Sequence, residues 1–447
     1  MRSDLNVAFF CPEHPNQFLT MKKHCVYLFV LLGIWSAQSQ IPSTTKDTIT
    51  VVEQDSLKKS IFFKQIGNGF FPTKYIDIDL RYLFKLNQYE GVRTGLGGRT
   101  NENLSDRYRM SGYLVYGFKD RNFKYNITAG ARLAPESETW LNVSYTDDLE
   151  ETGSSTFLTD KRFFSFFEPR LININLFHRH ITKAVSLEHR ITPYLISETK
   201  LSRSNVTPTY DYSFVVNGIS YEEFRLSIAK ISLQWNPFNT FETVNDLEVE
   251  QEGFPNFSLQ VSKSFKDVIG GDFNFLKIDF RSIYRLDHNT EGNSFTEATL
   301  RGGYANGKTP LTHMYHAYPN NINKETILQR FSVAGTNSFE TMFFNEFFSD
   351  RIATLQLKHA LRPFNISKLV QPQMVFISRM AIGSMHDTDR HQGIEFGKLN
   401  KGYSEAGLEL NKILFGFGLS FAYRYGAYHL PELSDNVAFK FTFNLTL

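Results

Sequence analysis

Two scarcities bound what this chain can be. Its only cysteines are Cys11 and Cys25, so the hundreds of residues that follow contain no disulfide frame, no catalytic thiol and no Cys-based metal centre. No segment approaches the roughly 18 consecutive apolar residues of a transmembrane helix. With a mean hydropathy of −0.30, a polytopic helical membrane protein is excluded. An excess of one charge is also missing, since Lys+Arg 48 against Asp+Glu 46 leaves +2. A dedicated nucleic-acid binder would carry a large basic surplus, so no nucleic-acid partner is expected.

What the chain has in abundance is aromatic rings: 43 Phe and 21 Tyr among 447 residues. Aromatic residues favour strands and anchor membrane interfaces. A polar average with so many rings is unusual for a soluble enzyme and ordinary for a β-barrel in a membrane.

The first residues indicate export. From Met21, the expected start, the chain runs Lys22-Lys23, an apolar stretch over 25–35, then Ala37 and Ser39. This is the pattern of a cleaved signal peptide. The expected organisation is an N-terminal extension and signal over 1–39, a polar periplasmic linker over 40–73, and a barrel over 74–447. Within the linker, 55–65 has the pattern of a short amphipathic helix with Asp55 as N-cap.

From Lys74 the period becomes two. In 437–447, Val437, Phe439, Phe441, Phe443, Leu445 and Leu447 alternate with Ala438, Lys440, Thr442, Asn444 and Thr446. The same alternation recurs over 76–84, 123–133, 257–262, 276–281 and 415–425. Strict alternation means one face meets an apolar medium and the other a polar one. A soluble sandwich alternates too, but these segments run about 9 to 11 residues, the span of a tilted transmembrane strand. Their connections are also very unequal. The expected fold class is all-β: a transmembrane antiparallel β-barrel of 14 to 16 strands. Its outer loops are expected over 147–161, 236–255, 306–324 and 383–402, and 162–179 is expected to fold inside the lumen. Strand candidates centre near 80, 95, 114, 128, 142, 187, 198, 214, 228, 261, 280, 299, 333, 356, 375, 408, 420 and 442, and a few of these must be loop or lumen segments, since strand numbers in such barrels are normally even.

Two stretches carry a family resemblance. One is Tyr89-Glu-Gly-Val-Arg-Thr-Gly-Leu-Gly-Gly-Arg99, followed by Gly112-Tyr-Leu-Val-Tyr-Gly-Phe-Lys-Asp120. The other is Asn337-Ser-Phe-Glu-Thr-Met342, followed by Glu346-Phe-Phe-Ser-Asp-Arg351. Together they resemble a Gram-negative outer-membrane barrel family catalogued as a domain of unknown function, over roughly 70–447. Members often carry an N-terminal carboxypeptidase-regulatory-like sandwich, which this chain lacks. A more distant similarity is to the surface-antigen barrels that insert and export outer-membrane proteins.

Five charged residues inside those stretches, Glu90, Arg93, Arg99, Asp350 and Arg351, are the candidates for a lumenal ion-pair network, with Arg93 and Arg351 expected to meet lumenal acids. The cluster His386-Asp-Thr-Asp-Arg-His391 is the best catalytic-looking motif, with Asp387, Asp389 and His391 as the residues to change. A solvated loop tip is the plainer explanation. His313 and His316 lack the spacing of a metal motif, and His178 and His180 read as ordinary polar positions. Gly95, Gly97 and Gly98 have no helix after them and so form no nucleotide loop. They mark bulges or close backbone approach in the wall.

No cofactor, metal or catalytic residue is expected. The sequence points to an outer-membrane barrel acting as a channel, a transport or assembly component, or a surface scaffold, without covalent chemistry. Its expected partners are outer-membrane lipid and, during insertion, the barrel assembly machinery. The rival readings are a barrel-embedded hydrolase with rim Asp and His residues, and a secreted soluble β protein that binds glycans.

Overall fold

A computed structural model describes residues 66–447 except 67–68, 159, 161–169, 171–173, 245–246, 290–292, 322–331, 336, 368–369, 415 and 444–447. The expected signal peptide and the 55–65 helix lie outside the described residues.

Fifteen long strands follow one another as an antiparallel meander. They are β1 (Gly91–Thr100), β2 (Tyr108–Gly117), β3 (Asn122–Ala134), β4 (Thr139–Glu151) and β5 (Phe177–Thr192). Next come β6 (Leu195–Pro208), β7 (Phe224–Trp235), β8 (Asn256–Ser264), β9 (Phe275–Asp287) and β10 (Phe295–Gly307). The last are β11 (Arg351–Ala360), β12 (Gln373–Ser384), β13 (Tyr403–Leu414), β14 (Phe417–Tyr425) and β15 (Val437–Phe443). Each is hydrogen-bonded to the next.

Ahead of β1, Ile76–Asp79 and Lys85–Asn87 pair with its two ends. They occupy a sixteenth strand position, interrupted by the 3-10 turn Leu80–Tyr82. The single strand expected over 76–84 is therefore broken. Asp79 caps the turn by accepting the Arg81 N–H, and it grips the Arg81 guanidinium as well, which favours a turn over continued extension. Phe70–Phe71 adds outside Ile78 and Asp79. Among the described residues no ladder joins β15 to this first edge.

The two faces of the sheet differ as the alternation requires. On β14 and β15, Phe417, Phe421, Phe439 and Phe441 are exposed, while Ser420, Ala422, Arg424, Ala438, Lys440 and Thr442 are buried. Leu96, Ile127, Val143, Leu201, Ile231 and Met380 extend the exposed apolar surface around the sheet. A sheet with an apolar exterior and a buried polar interior is the inverse of a soluble sandwich, and it matches a barrel whose solvent is lipid.

Antiparallel order fixes the ends. Connections 152–176, 209–223, 265–274, 308–350, 385–402 and 426–436 emerge at one end. Connections 101–107, 135–138, 193–194, 236–255, 288–294 and 361–372 emerge at the other. The expected outer loop over 236–255 thus belongs with the shorter turns, where Thr240–Val244 and Leu247–Gln251 form a hairpin. The candidates near 214 and 333 are not wall strands. Ser213–Val216 belongs to a small hairpin in 209–223, and Val333 bridges to Phe441 from inside the long connection.

Candidate functional site

In the connection of 43 residues between β10 and β11, the described residues do not stand out in solvent. Its two necks are zipped, with Tyr315 and Ser349 exchanging backbone hydrogen bonds of 3.0 and 2.8 Å. The Tyr315 ring rests on Gly303 of β10, where any Cβ would come within 2.7 Å of it. From there the connection turns inward. Pro319–Asn321 and Phe339–Phe343 pair in parallel, and Asn320, Thr341 and Met342 have no exposed surface.

What holds this inward segment is charge. Glu405 of β13 is fully buried. It accepts the N–H groups of Glu340 at 3.1 Å and Thr341 at 2.7 Å, and the Thr341 hydroxyl at 2.5 Å. Arg379 of β12 donates to the same carboxylate at 2.6 Å. Glu340 in turn meets Lys440 of β15 at 2.8 Å and accepts from Asn320, Ser338 and the Gly335 N–H. Glu346 takes both terminal nitrogens of Arg424 on β14, at 2.6 and 3.1 Å. Three cations and three carboxylates therefore neutralise one another, all of them buried except the half-buried Glu346. Burial alone would raise the Glu340 carboxyl, yet Lys440 and Arg379 hold it below its ordinary value. Tyr403 completes the joint, with its hydroxyl 2.8 Å from Thr341 and its ring against Phe339 and Phe347.

Described residues of the connection 152–176 brace the other side. Ser155 donates to Asp279 of β9 at 2.8 Å and receives the Tyr318 hydroxyl on its carbonyl at 2.6 Å. His316 reaches Glu151 at 2.7 Å. Arg170, within the stretch expected to enter the lumen, pairs with Glu151 and is buried.

At the opposite end, that of the shorter turns, the interior is open. A cavity of about 1100 Å³ is lined by Asp77, Arg99, Arg109, Trp140, Asn142 and Glu188 among others. Arg109 spans it, donating to Glu188 and Asn142 at 2.7 Å each, with its guanidinium 4.4 Å above the Trp140 ring.

The five charged residues singled out in the sequence fall into separate places. Arg93 binds Asp148 through two bonds of 2.7 and 2.8 Å and reaches Glu90 at 3.4 Å. Glu90 also pairs with Lys124 at 2.7 Å. Arg99 lies six residues along β1, about 20 Å away, and pairs with Asp77 at 3.3 Å. Asp350 accepts from the ring and backbone of His386, at 2.7 and 2.9 Å. Arg351 departs from expectation. It has the opposite parity to the buried Gln356 on β11, is exposed, and lies over the Tyr304 ring at 5.3 Å. It has no carboxylate partner among the described residues.

The motif at 386–391 is likewise divided. Asp387 pairs with Arg390 at 3.0 Å, and Asp389 is exposed. His391 is buried beneath Tyr212, whose hydroxyl stands 2.9 Å from its Nδ1, and burial pushes its pKa down to about 4. His313 is pushed down to about 3 by burial, with His178 next to it. Among the described residues no group of three His, Cys, Asp or Glu stands at metal-binding spacing.

The anchoring set Glu340, Glu346, Arg379, Glu405, Arg424 and Lys440 was not singled out as a group from sequence. The available signal was four charges, Arg379, Glu405, Arg424 and Lys440, at inward positions of the last strands.

The profile of a family described as "Family of unknown function (DUF5686) C-terminal domain" matches residues 71–347. It ends within the inward connection, ahead of the expected limit at 447. No curated protein matches the chain. Among solved structures it is similar to BamA from Haemophilus ducreyi lacking POTRA domains 1-3, with a TM-score of 0.50 and 12% identity over 80% of this chain and 68% of that one. It is also similar to CdiB from Acinetobacter baumannii, with a TM-score of 0.42 and 11% identity over 82% and 59%. At 12% identity the likeness to BamA shows the fold, that of an outer-membrane β-barrel.

Proposed function

We infer that this chain, which belongs to the DUF5686 family through its C-terminal domain, resides in the outer membrane as a barrel stoppered by its own long connection. It works there as a transport or assembly component without covalent chemistry. The carrying observation is the joint of Glu340, Glu346 and Glu405 with Arg379, Arg424 and Lys440, in a barrel whose other end holds a polar vestibule. A connection needed only as an exposed loop has no use for two fully buried ion pairs and a third buried on its arginine side, whose desolvation is costly unless geometry and further hydrogen bonds compensate. Balanced buried charge is suited to a part that must seat in one position and still be able to leave. The vestibule lining mixes both signs, which argues against steep ion selectivity.

Planar-bilayer recording of the full chain tests this reading. The wild-type barrel is expected to conduct little, and Arg424→Ala, which strands Glu346, to conduct more and to flicker. Equal, steady conductance in both would overturn it. A protein released from membranes by carbonate without detergent would overturn the membrane assignment itself.

A further inference from the structure

The outward face of β5, β6 and β7 carries a charge arrangement that the described residues balance only in part. Lys183 and Arg203 are direct cross-strand partners, and Arg203 is the partner of Ser227 on its other side. Like charges placed directly opposite each other destabilise a strand pair. Neither side chain is hydrogen-bonded or ion-paired to any described residue, and the Arg203 Nε is buried without a partner. Beside it, Ser227 is 4% exposed and its hydroxyl also has no partner. Arg225 brings a third cation: its Nη1 and the Nη2 of Arg203 each lie 3.7 Å from the point where a side chain on Gly270 would begin. Of the three, Arg225 has a carboxylate partner, Asp272, at 3.3 Å.

The position of this cluster identifies its surroundings. It sits at the end of the sheet from which 209–223 and 265–274 emerge. Two to four residues further along the strands, about 7 to 14 Å, the same face becomes Val185, Leu187, Leu201 and Ile231, exposed by 44%, 39%, 59% and 50%. Cations on the lipid side of a barrel are costly at mid-depth and cheap near the interface. This cluster therefore lies where apolar contact gives way to headgroups. Buried polar atoms are rarely left unpaired without a reason, and here two of them adjoin two uncompensated cations. An oxyanion that accepts several donors at once answers all four, and guanidinium groups suit phosphate in this way.

We propose that Lys183, Arg203, Arg225 and Ser227 form a binding site for the phosphate of a lipid headgroup in the outer leaflet. The proposal rests on the outer-membrane reading above and adds a defined lipid contact to it. A phosphate seated between Lys183 and Arg203 removes their mutual repulsion and supplies acceptors to the Arg203 Nε and the Ser227 hydroxyl. The barrel is thereby tied to the membrane at one side of its rim, through a fixed site of stated chemistry.

Native mass spectrometry of the full chain in non-ionic detergent tests this, with a bis-phosphorylated glycolipid, the same glycolipid dephosphorylated, and inorganic phosphate as probes. Wild type is expected to retain the phosphorylated lipid at least tenfold better than the dephosphorylated one. Lys183→Ala/Arg203→Ala should abolish the preference, Arg203→Lys should keep part of it, and Lys119→Ala should leave it unchanged. Equal retention of both lipids, or an unchanged preference in the double variant, would overturn the site. Inorganic phosphate displacing the lipid at micromolar concentration would assign the site to free phosphate and overturn the lipid. Each variant is checked by unboiled against boiled gel mobility, so loss of folding is not mistaken for loss of binding. A wild-type chain that stays soluble without detergent would fail the membrane reading separately.

Discussion

Glu346 on the inward connection and Arg424 on β14, 78 residues apart in the chain, meet side-on through two hydrogen bonds of 2.6 and 3.1 Å. Arg424 has almost no exposed surface, so its charge depends on this one carboxylate. Removing either partner alone leaves a buried ion without compensation, at a cost of about 3–5 kcal/mol. Replacing both, as Glu346→Gln with Arg424→Met, should cost less than the sum of the two single changes. Thermal midpoints from heat-dependent gel mobility give the coupling; strict additivity would mean that the pair does not hold the stopper.

Gly303 is a seat. Gly303→Ala places a Cβ against the Tyr315 ring, and overpacking of this kind costs about 1–3 kcal/mol. The variant should lower the thermal midpoint and raise conductance, since Tyr315 fixes the neck of the stopper. Gly302→Ala, where a Cβ meets nothing within 4 Å, should do neither. Equal behaviour of the two neighbours would refute the seating role.

The outer and inner faces predict opposite tolerances. Ile127 is 58% exposed on the outward side of β3, so Ile127→Arg should cost about 2–4 kcal/mol if it lies near mid-depth and reduce the fraction that folds in membranes. Thr128→Arg, one residue on, faces the polar interior and should be accepted better. The heat-modifiable fraction of each measures this, and the reverse order would invert the sheet.

Acid should loosen the neighbourhood of His391. Its folded pKa of about 4 lies below the ordinary 6.5, so between these values the unfolded chain binds a proton that the folded one refuses. Stability contributed here falls as pH drops from 6.5 toward 4 and then levels off. His391→Phe should remove that part of the slope in thermal midpoint against pH. An unchanged slope would mean that the imidazole does not titrate as its burial requires.

The wall was legible because alternation is a local property: Phe439, Lys440 and Phe441 announce their faces with no knowledge of the rest of the chain. Parity also placed Lys440 inward, but its partner Glu340 lies 100 residues earlier, and no periodicity connects the two. Arg351 was misread for the opposite reason. Its motif drew attention to its charge, while its register on β11 faces outward. The same blindness hid the cluster on β5–β7, since Lys183 and Arg203 become neighbours only once the hairpin register is known.

The anchors of the stopper have a consequence for how the molecule is made. Every wall strand pairs with the one just before it, so the sheet can lengthen step by step as the chain arrives, with little loop-closure entropy at each addition. The segment 308–350 cannot follow that rhythm. Its Glu346 and Glu340 precede Arg424 and Lys440, the cations that receive them, by 78 and 100 residues. Until the last hairpin is in place, Glu346 lacks Arg424 and Glu340 lacks Lys440. Seating of 308–350 is thus completed only with the last hairpin, and a chain cut short before Arg424 would lack two of the cations that hold this segment.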